Sequence, residues 1–254
     1  MSLTRIEWDD AIFYCEFMAQ SEKFEMDGLK NPEKVPFEIK KRVINEYCRT
    51  KLYLEDEEDI EDTIRTRFAA GGVSIHAALG VTANWKQVLL SKLTSENLMK
   101  ARCFQAIGKS ALAKVLTPWR EKAINLKLNV VPNFKTNTMA GGVEMWISYK
   151  DIQFGPIPTM FALGHEFGHQ TDFAIRETHP QVLKTIYADW GEHDHPSWEF
   201  YADTFAIVYL SSISGNRAKL MDAIDSYLAD TPDDGVHPEG RLRVNQMRKA
   251  QNAF

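Results

Sequence analysis

The spacing of apolar residues predicts helices over most of the first 120 residues. Apolar positions recur at helical intervals in residues 8–19 and 37–54. The acidic run 55–62 predicts the exposed start of a further helix, because negative charge favours a helix amino terminus. Residues 95–116 predict another helix capped by Ser95. The glycine-rich stretch 69–82 predicts a turn followed by a short helix, or a mobile loop.

A different pattern, with period two, predicts strands at residues 126–131 and 142–149. Val143, Met145 and Ile147 alternate with polar or larger residues, as in a strand that buries one face at the edge of a sheet. The predicted fold class is therefore α+β and mainly helical, with a small mixed or antiparallel sheet. The predicted division is a helical region at 1–120, of unknown role, and a second domain at 121–254.

Composition narrows the class of protein. The chain has 254 residues, 44% of them apolar, and a net charge of −5, which provides no basic field for nucleic acid. Its longest apolar runs, such as 205–210, are too short for a membrane span, and its amino terminus lacks the features of a signal peptide. Cys15, Cys48 and Cys103 are odd in number and widely spaced, which favours reduced thiols and a cytoplasmic location.

The strongest chemical signal is HExxH at residues 165–169, in the stretch FALGHEFGHQT. On a helix, His165 and His169 project from the same face and can bind one metal ion. Glu166 is then placed to take a proton from an activated water. This pattern predicts one zinc ion per chain and hydrolysis of a peptide bond.

A catalytic zinc usually has a third protein ligand. The metzincin extension would need glycine at 172 and histidine at 175, but the chain has Asp172 and Ile175. Glu199, on a predicted second helix, is the expected third ligand, and Asp203 is expected to hold a ligand histidine by its far nitrogen. The alternatives left open at this point are His193, His195 and Asp203 itself as the ligand. The exposed strand edge at Val143, Met145 and Ile147 is expected to hold a protein or peptide substrate.

With these motifs in view, the chain resembles the membrane CAAX prenyl protease and HtpX heat-shock protease family and its soluble minimal relatives. The resemblance rests on HEFGH and EFYAD, on NTMAGGVEMWISYKD at 137–151, and on HPEGRLRVNQM at 237–247. It implies a zincin-like fold of gluzincin type. It also implies that Asn137 holds the substrate backbone, that His237 stabilises the oxyanion and that Arg243 supports the site. Thr138 stands where the family has a small residue, and the family's transmembrane helices are missing.

The sequence thus predicts a zinc metallopeptidase that acts on a soluble protein or peptide. One alternative is a dedicated protease, host-targeting or regulatory, with a single substrate that the helical amino-terminal region recognises. Another is a non-catalytic, metal-stabilised binding protein. In that case a fourth protein ligand, such as His195 or His237, would close the zinc site.

Overall fold

The structure is a computed structural model that describes residues 2–19, 34–105, 108–178, 180 and 197–252. It is mainly helical with one small mixed sheet, which confirms the predicted α+β class. The helices are α1 (Arg5–Ala19), α2 (Phe37–Lys51), α3 (Glu57–Thr63), α4 (Ala70–Lys92), α5 (Ser95–Leu98), α6 (Arg102–Gln105), α7 (Lys109–Asn125), α8 (Tyr149–Ile152), α9 (Pro156–Thr178), α10 (Ser197–Ile213), α11 (Arg217–Leu228) and α12 (Gly240–Asn252). The strands are β1 (Lys127–Val131), β2 (Met139–Gly141) and β3 (Glu144–Ser148).

Residues 57–92 form one helical stretch, because a π-helical turn (Ile64–Ala69) joins α3 to α4 without a break. The predicted turn within 69–82 is therefore wrong. Glycines persist in this helix because α1 crosses it closely: a Cβ on Gly72 would lie 2.0 Å from the carbonyl oxygen of Asp10, and one on Gly71 would lie 2.6 Å from the ring of Tyr14. Tertiary packing outweighs the low helix propensity of glycine at these positions.

The prediction of a single helix at 95–116 is also wrong. Thr94, rather than Ser95, caps the short helix α5 by accepting a hydrogen bond from the amide of Asn97. Gly108, with a φ of 80°, precedes α7, which continues past Pro118 to Asn125. A proline inside a helix removes one backbone hydrogen bond but does not always end the helix.

The sheet has the strand order β1-β3-β2, with β1 parallel and β2 antiparallel to β3. The strand that was predicted to lie at the edge, β3, is therefore the central strand. Gly142, with a φ of 58°, lets the chain turn back so that the three-residue strand β2 covers β3. The edge strand that contacts α9 is thus β2.

The main hydrophobic core joins both halves of the chain. It includes Trp85 and Trp119 from the first 120 residues together with Phe161 and Phe205 from the second half. A smaller apolar cluster lies within residues 8–69 and contains the buried free thiols of Cys15 and Cys48. The predicted boundary near residue 120 is not marked by separate cores, and the division into two domains stays a prediction. No helix in the part of the chain that the structure describes has the length and hydropathy to cross a membrane.

Helices α9 and α10 pack closely through small residues. A Cβ on Gly164 would lie 3.2 Å from the Cα of Ala206, and a Cβ on Gly168 would lie 2.7 Å from the Cα of Ala202. Gly164 faces Ala206 and Gly168 faces Ala202, so residue numbers increase along α9 where they decrease along α10. The two helices are therefore antiparallel. This close antiparallel contact places the HExxH segment opposite the start of α10.

Candidate metal centre

Three predicted metal ligands meet where α9 faces α10. The Nε2 atoms of His165 and His169 lie 3.0 Å apart. Glu199 Oε2 lies 3.2 Å from His165 Nε2, and Glu199 Oε1 lies 3.4 Å from His169 Nε2. Ligands about 2.0–2.1 Å from a tetrahedral zinc ion are separated from each other by ~3.3 Å. The three side chains therefore already have the mutual spacing of a zinc ligand set.

The buried carboxylate of Glu199 also indicates that the site suits a cation. The residue is 3% exposed, and its Oε2 atom is buried without a hydrogen bond in the described structure. A buried carboxylate oxygen without a donor carries a large desolvation cost, which a cation offsets. Two imidazole nitrogens and one carboxylate oxygen are a donor set that suits zinc. The residues present therefore fit a zinc ion.

A second layer of hydrogen bonds fixes the first ligand. Asp203 Oδ1 lies 2.8 Å from His165 Nδ1, as the sequence predicts, which leaves Nε2 free to face the centre. Arg243 donates to both oxygens of Asp203, from Nε at 2.8 Å and from Nη2 at 2.7 Å. Burial acts to raise the pKa of Asp203, but the charge of Arg243 and the hydrogen bonds from Arg243 and His165 together outweigh burial and hold that pKa well below its usual range. The predicted supporting role of Arg243 thus has a physical basis.

The ligand side chains shift each other's pKa values. Burial acts to lower the pKa of His165, but its contacts with the carboxylates of Asp203 and Glu199 together outweigh burial and raise the pKa to about 9. Burial acts to raise the pKa of Glu199, but the two histidines outweigh it and the net shift is downward. A metal ion that binds here takes the place of a proton between these groups.

Glu166 lies beside the ligands and faces the neighbouring cleft. Burial raises the pKa of its carboxyl group, although the charges of His165 and His169 act in the opposite direction. A carboxylate with a raised pKa is a better proton acceptor at neutral pH than one on the surface. Its position and its pKa direction both suit a general base.

His237 reaches the same centre from the loop between α11 and α12. Its Nε2 atom lies 3.5 Å from Glu199 Oε2, and one donor atom from each of His165, Glu199 and His237 lies within 4.8 Å of the others. Asp234 Oδ2 lies 2.9 Å from His237 Nδ1. Burial acts to raise the pKa of Asp234, but hydrogen bonds from the main chain and ring of His237 outweigh it and lower the pKa to about 2. Asp234 was not singled out from the sequence, although its place three residues before His237 was the available signal.

A cleft of about 420 Å³ opens beside this centre. His165, Glu166 and His237 line it together with Asn137. The carbonyl oxygen of the Asn137 side chain accepts a hydrogen bond of 2.6 Å from Lys150 Nζ, which leaves the amide N–H groups available. The cleft can therefore hold a ligand that reaches from the metal ligands to Asn137.

The buried carboxylate of Asp151 links two walls of the cleft by hydrogen bonds. Asp151 accepts hydrogen bonds from the main-chain amide and the hydroxyl of Thr138, and one of 2.5 Å from the hydroxyl of Tyr227. The Thr138 hydroxyl also accepts a hydrogen bond from the amide of Ser148. Thr138, which departs from the family pattern, thus supports the segment that carries Asn137. The sequence offered no local signal for Asp151 or Tyr227, because they are 76 positions apart in the chain.

Val143, Met145 and Ile147 stay predicted substrate contacts, although β3 is not the edge strand that was expected. Met145 and Ile147 are fully buried, and Val143 is exposed at the turn before β3. β1 pairs with β3 along residues 144–148 and β2 pairs with it at residues 144–146, so that part of the β3 main chain has no free edge for a peptide. Tyr201 is buried, and its hydroxyl lies 3.0 Å from the hydroxyl of Thr171.

The alternative ligands His193 and His195 lie outside the described residues. Comparison with known proteins adds no relative: no family model, no curated protein and no solved structure matches the chain. The family resemblance therefore stays a prediction that rests on the motifs alone.

Proposed function

We propose that the chain is a zinc-dependent endopeptidase of gluzincin type, with His165, His169 and Glu199 as zinc ligands. The observation that carries this proposal is the convergence of three donor groups at ligand spacing, because His165 Nε2 lies 3.0 Å from His169 Nε2 and 3.2 Å from the buried Glu199 Oε2. A purely structural metal site has no need of a carboxylate such as Glu166, which lines the adjoining cleft. Zinc bound here would lower the pKa of a water molecule to about 7 and polarise a substrate carbonyl group.

The chain's own residues supply the remaining steps. Glu166 accepts the proton of the attacking water and can pass it to the leaving amine. Asp203 and Arg243 keep the His165 ring in one orientation through hydrogen bonds of 2.7–2.8 Å. His237, which lines the same cleft, can donate to the carbonyl oxygen as negative charge develops there.

The substrate we propose is a peptide in extended form. Within the described chain, β2 (Met139–Gly141) has a free edge, because it pairs with β3 alone. It follows directly after Asn137 and Thr138, which line the cleft. A peptide that added to this edge by main-chain hydrogen bonds would lie beside the metal ligands. A cytoplasmic location and the absence of nucleic-acid binding stay predictions from composition.

The test is the Glu166→Gln variant, assayed with zinc on fluorescein-labelled casein and on a library of peptides from a digested proteome. We expect zinc content to be retained and the cleavage rate to fall by about 10²–10⁴-fold, because glutamine cannot accept the proton. The exposed Glu58→Gln is the matched control and should cleave like the wild type. Unchanged turnover in Glu166→Gln would remove the general-base role.

Two alternatives are separated by the same assay. Cleavage of library peptides or of a single protein, with casein intact, would favour a dedicated protease. A zinc-loaded wild type that cleaves neither casein nor any peptide would favour a binding protein with a closed metal site. The second alternative has one structural observation in its favour, which is the 3.5 Å distance from His237 Nε2 to Glu199 Oε2.

A further inference from the structure

Two histidines at the centre share the same hydrogen-bond arrangement. His165 has its Nδ1 atom 2.8 Å from Asp203 and its Nε2 atom 3.2 Å from Glu199 Oε2. His237 has its Nδ1 atom 2.9 Å from Asp234 and its Nε2 atom 3.5 Å from the same Glu199 oxygen. A carboxylate bound at Nδ1 keeps the proton there and leaves the Nε2 lone pair for a metal. His237 is therefore oriented as a metal ligand, in the same way as His165.

One oxygen atom, Glu199 Oε2, lies close to both the His165 and the His237 rings, which supports a similar role for the two histidines. Glu199 Oε2 is buried, has no hydrogen bond in the described structure, and lies within 3.5 Å of both Nε2 atoms. Three potential ligands thus converge on one point. The 4.8 Å limit on their mutual distances exceeds the ~3.3 Å spacing of a tetrahedral ligand set, so binding of a metal must draw the groups closer.

Hydrogen bonds within its loop orient the ring of His237, but this side chain is more exposed than that of His165. Asp234 Oδ1 accepts hydrogen bonds from the amides of Val236, at 2.9 Å, and of His237, at 2.6 Å. The side chain of His237 is 31% exposed, against 6% for that of His165. A ligand on a solvent-exposed loop can leave its position at lower cost than one on a buried helix.

We propose that His237 is a fourth, displaceable metal ligand, held in place by Asp234. This inference rests on the proposed zinc centre and extends it. If His165, His169, Glu199 and His237 all held the zinc ion, no position would be left for water, and the resting protein would be latent. Entry of a substrate into the cleft displaces the His237 ring, which then lies close enough to donate a hydrogen bond to the substrate carbonyl.

The test counts the imidazoles on zinc in the full-length protein by X-ray absorption at the zinc edge, and measures zinc affinity by competition with a chelating dye. We expect three imidazoles in the wild type and two in His237→Ala, with zinc bound at least about tenfold more weakly in the variant. Asp234→Asn should keep three imidazoles but bind zinc roughly 10–100-fold more weakly, because it removes a ligand's hydrogen-bond partner. His76→Ala, an exposed histidine on α4, is the matched control and should behave as the wild type.

The outcomes separate this inference from the peptidase proposal. Two imidazoles in the wild type, with zinc affinity unchanged in His237→Ala, would overturn the fourth ligand even if casein is cleaved. Three imidazoles without cleavage by either protein would support the fourth ligand and count against the peptidase. Three imidazoles on zinc in a wild type that cleaves casein would support both. A wild type that binds no zinc would overturn both.

Discussion

The contact between α9 and α10 gives the sharpest prediction about how the fold builds the site. Gly168 lies between the two histidines of the metal pair, and a Cβ there would lie 2.7 Å from Ala202 Cα and 3.1 Å from Ala202 O. Favourable carbon–carbon contacts are about 3.5–4.0 Å. The Gly168→Ala variant must therefore separate the helices by ~1 Å, since the nearest obstacle is backbone rather than a flexible side chain.

Two effects of this variant can be set against each other. Overpacking in a core costs about 1–3 kcal/mol, whereas replacing a helical glycine by alanine gains up to ~1 kcal/mol. A net loss of ~1–2 kcal/mol would lower the melting temperature by roughly 2–8 °C. Metal ligands tolerate displacements of only about 0.2 Å, so zinc affinity should fall by at least about tenfold.

The assay is thermal unfolding by circular dichroism, followed by zinc titration against a chelating dye. Gly80→Ala is the matched control, because Gly80 is also helical but a Cβ there meets no atom within 4 Å. That variant should be as stable as the wild type or more so, with zinc affinity unchanged. Gly164→Ala, whose closest contact is 3.2 Å, should fall between the two. Equal stability and equal zinc affinity in Gly168→Ala and Gly80→Ala would refute the reasoning.

Two further predictions concern buried ionisable groups. Arg243→Ala should lower the free energy of unfolding by about 3–5 kcal/mol in urea titrations, because it leaves the fully buried Asp203 without its counter-charge. The exposed pair of Arg248 with Asp225 is the control, and Arg248→Ala should cost no more than ~1 kcal/mol; similar losses in the two variants would contradict this assignment. Burial raises the pKa of the Cys48 thiol to about 11, whereas the pKa of an unfolded thiol is ~8.5. The buried neutral thiol therefore contributes its full stabilisation below pH ~8.5, and this stabilisation is lost as the pH rises through 11. Stability should therefore fall by about 1–3 kcal/mol more in the wild type than in Cys48→Ala over that range, and parallel pH profiles would argue against a buried thiol.

Some of this structure could be predicted from local patterns in the sequence. Helical periodicity predicts that His165 and His169 share one face of a helix, because residues four apart lie on the same face. The same spacing predicts a shared face for Glu199 and Asp203. That face is chemically distinctive even without knowledge of the neighbouring helix. The strand at 144–148 was likewise indicated by alternation, and a strand was also predicted where β1 (Lys127–Val131) lies.

Other features depend on contacts between distant parts of the chain. The central place of β3 depends on β2, a three-residue strand of Met, Ala and Gly that has no strand pattern of its own. The long helix through Gly71 and Gly72 depends on the close approach of α1, which local propensity does not encode. The link from Asp151 to Tyr227 joins residues 76 positions apart, and only the folded chain brings them together.

The most direct test of the central claim is the zinc content of the protein, measured by atomic emission after purification without added metal and after zinc is offered. We expect about one zinc ion per chain in the wild type, and little or none in Glu199→Ala, because two histidines alone make a weak site. Glu58→Ala, which removes an exposed carboxylate, should bind zinc like the wild type. A wild type that binds no zinc even when it is offered, or a Glu199→Ala variant that binds it as tightly, would contradict the account.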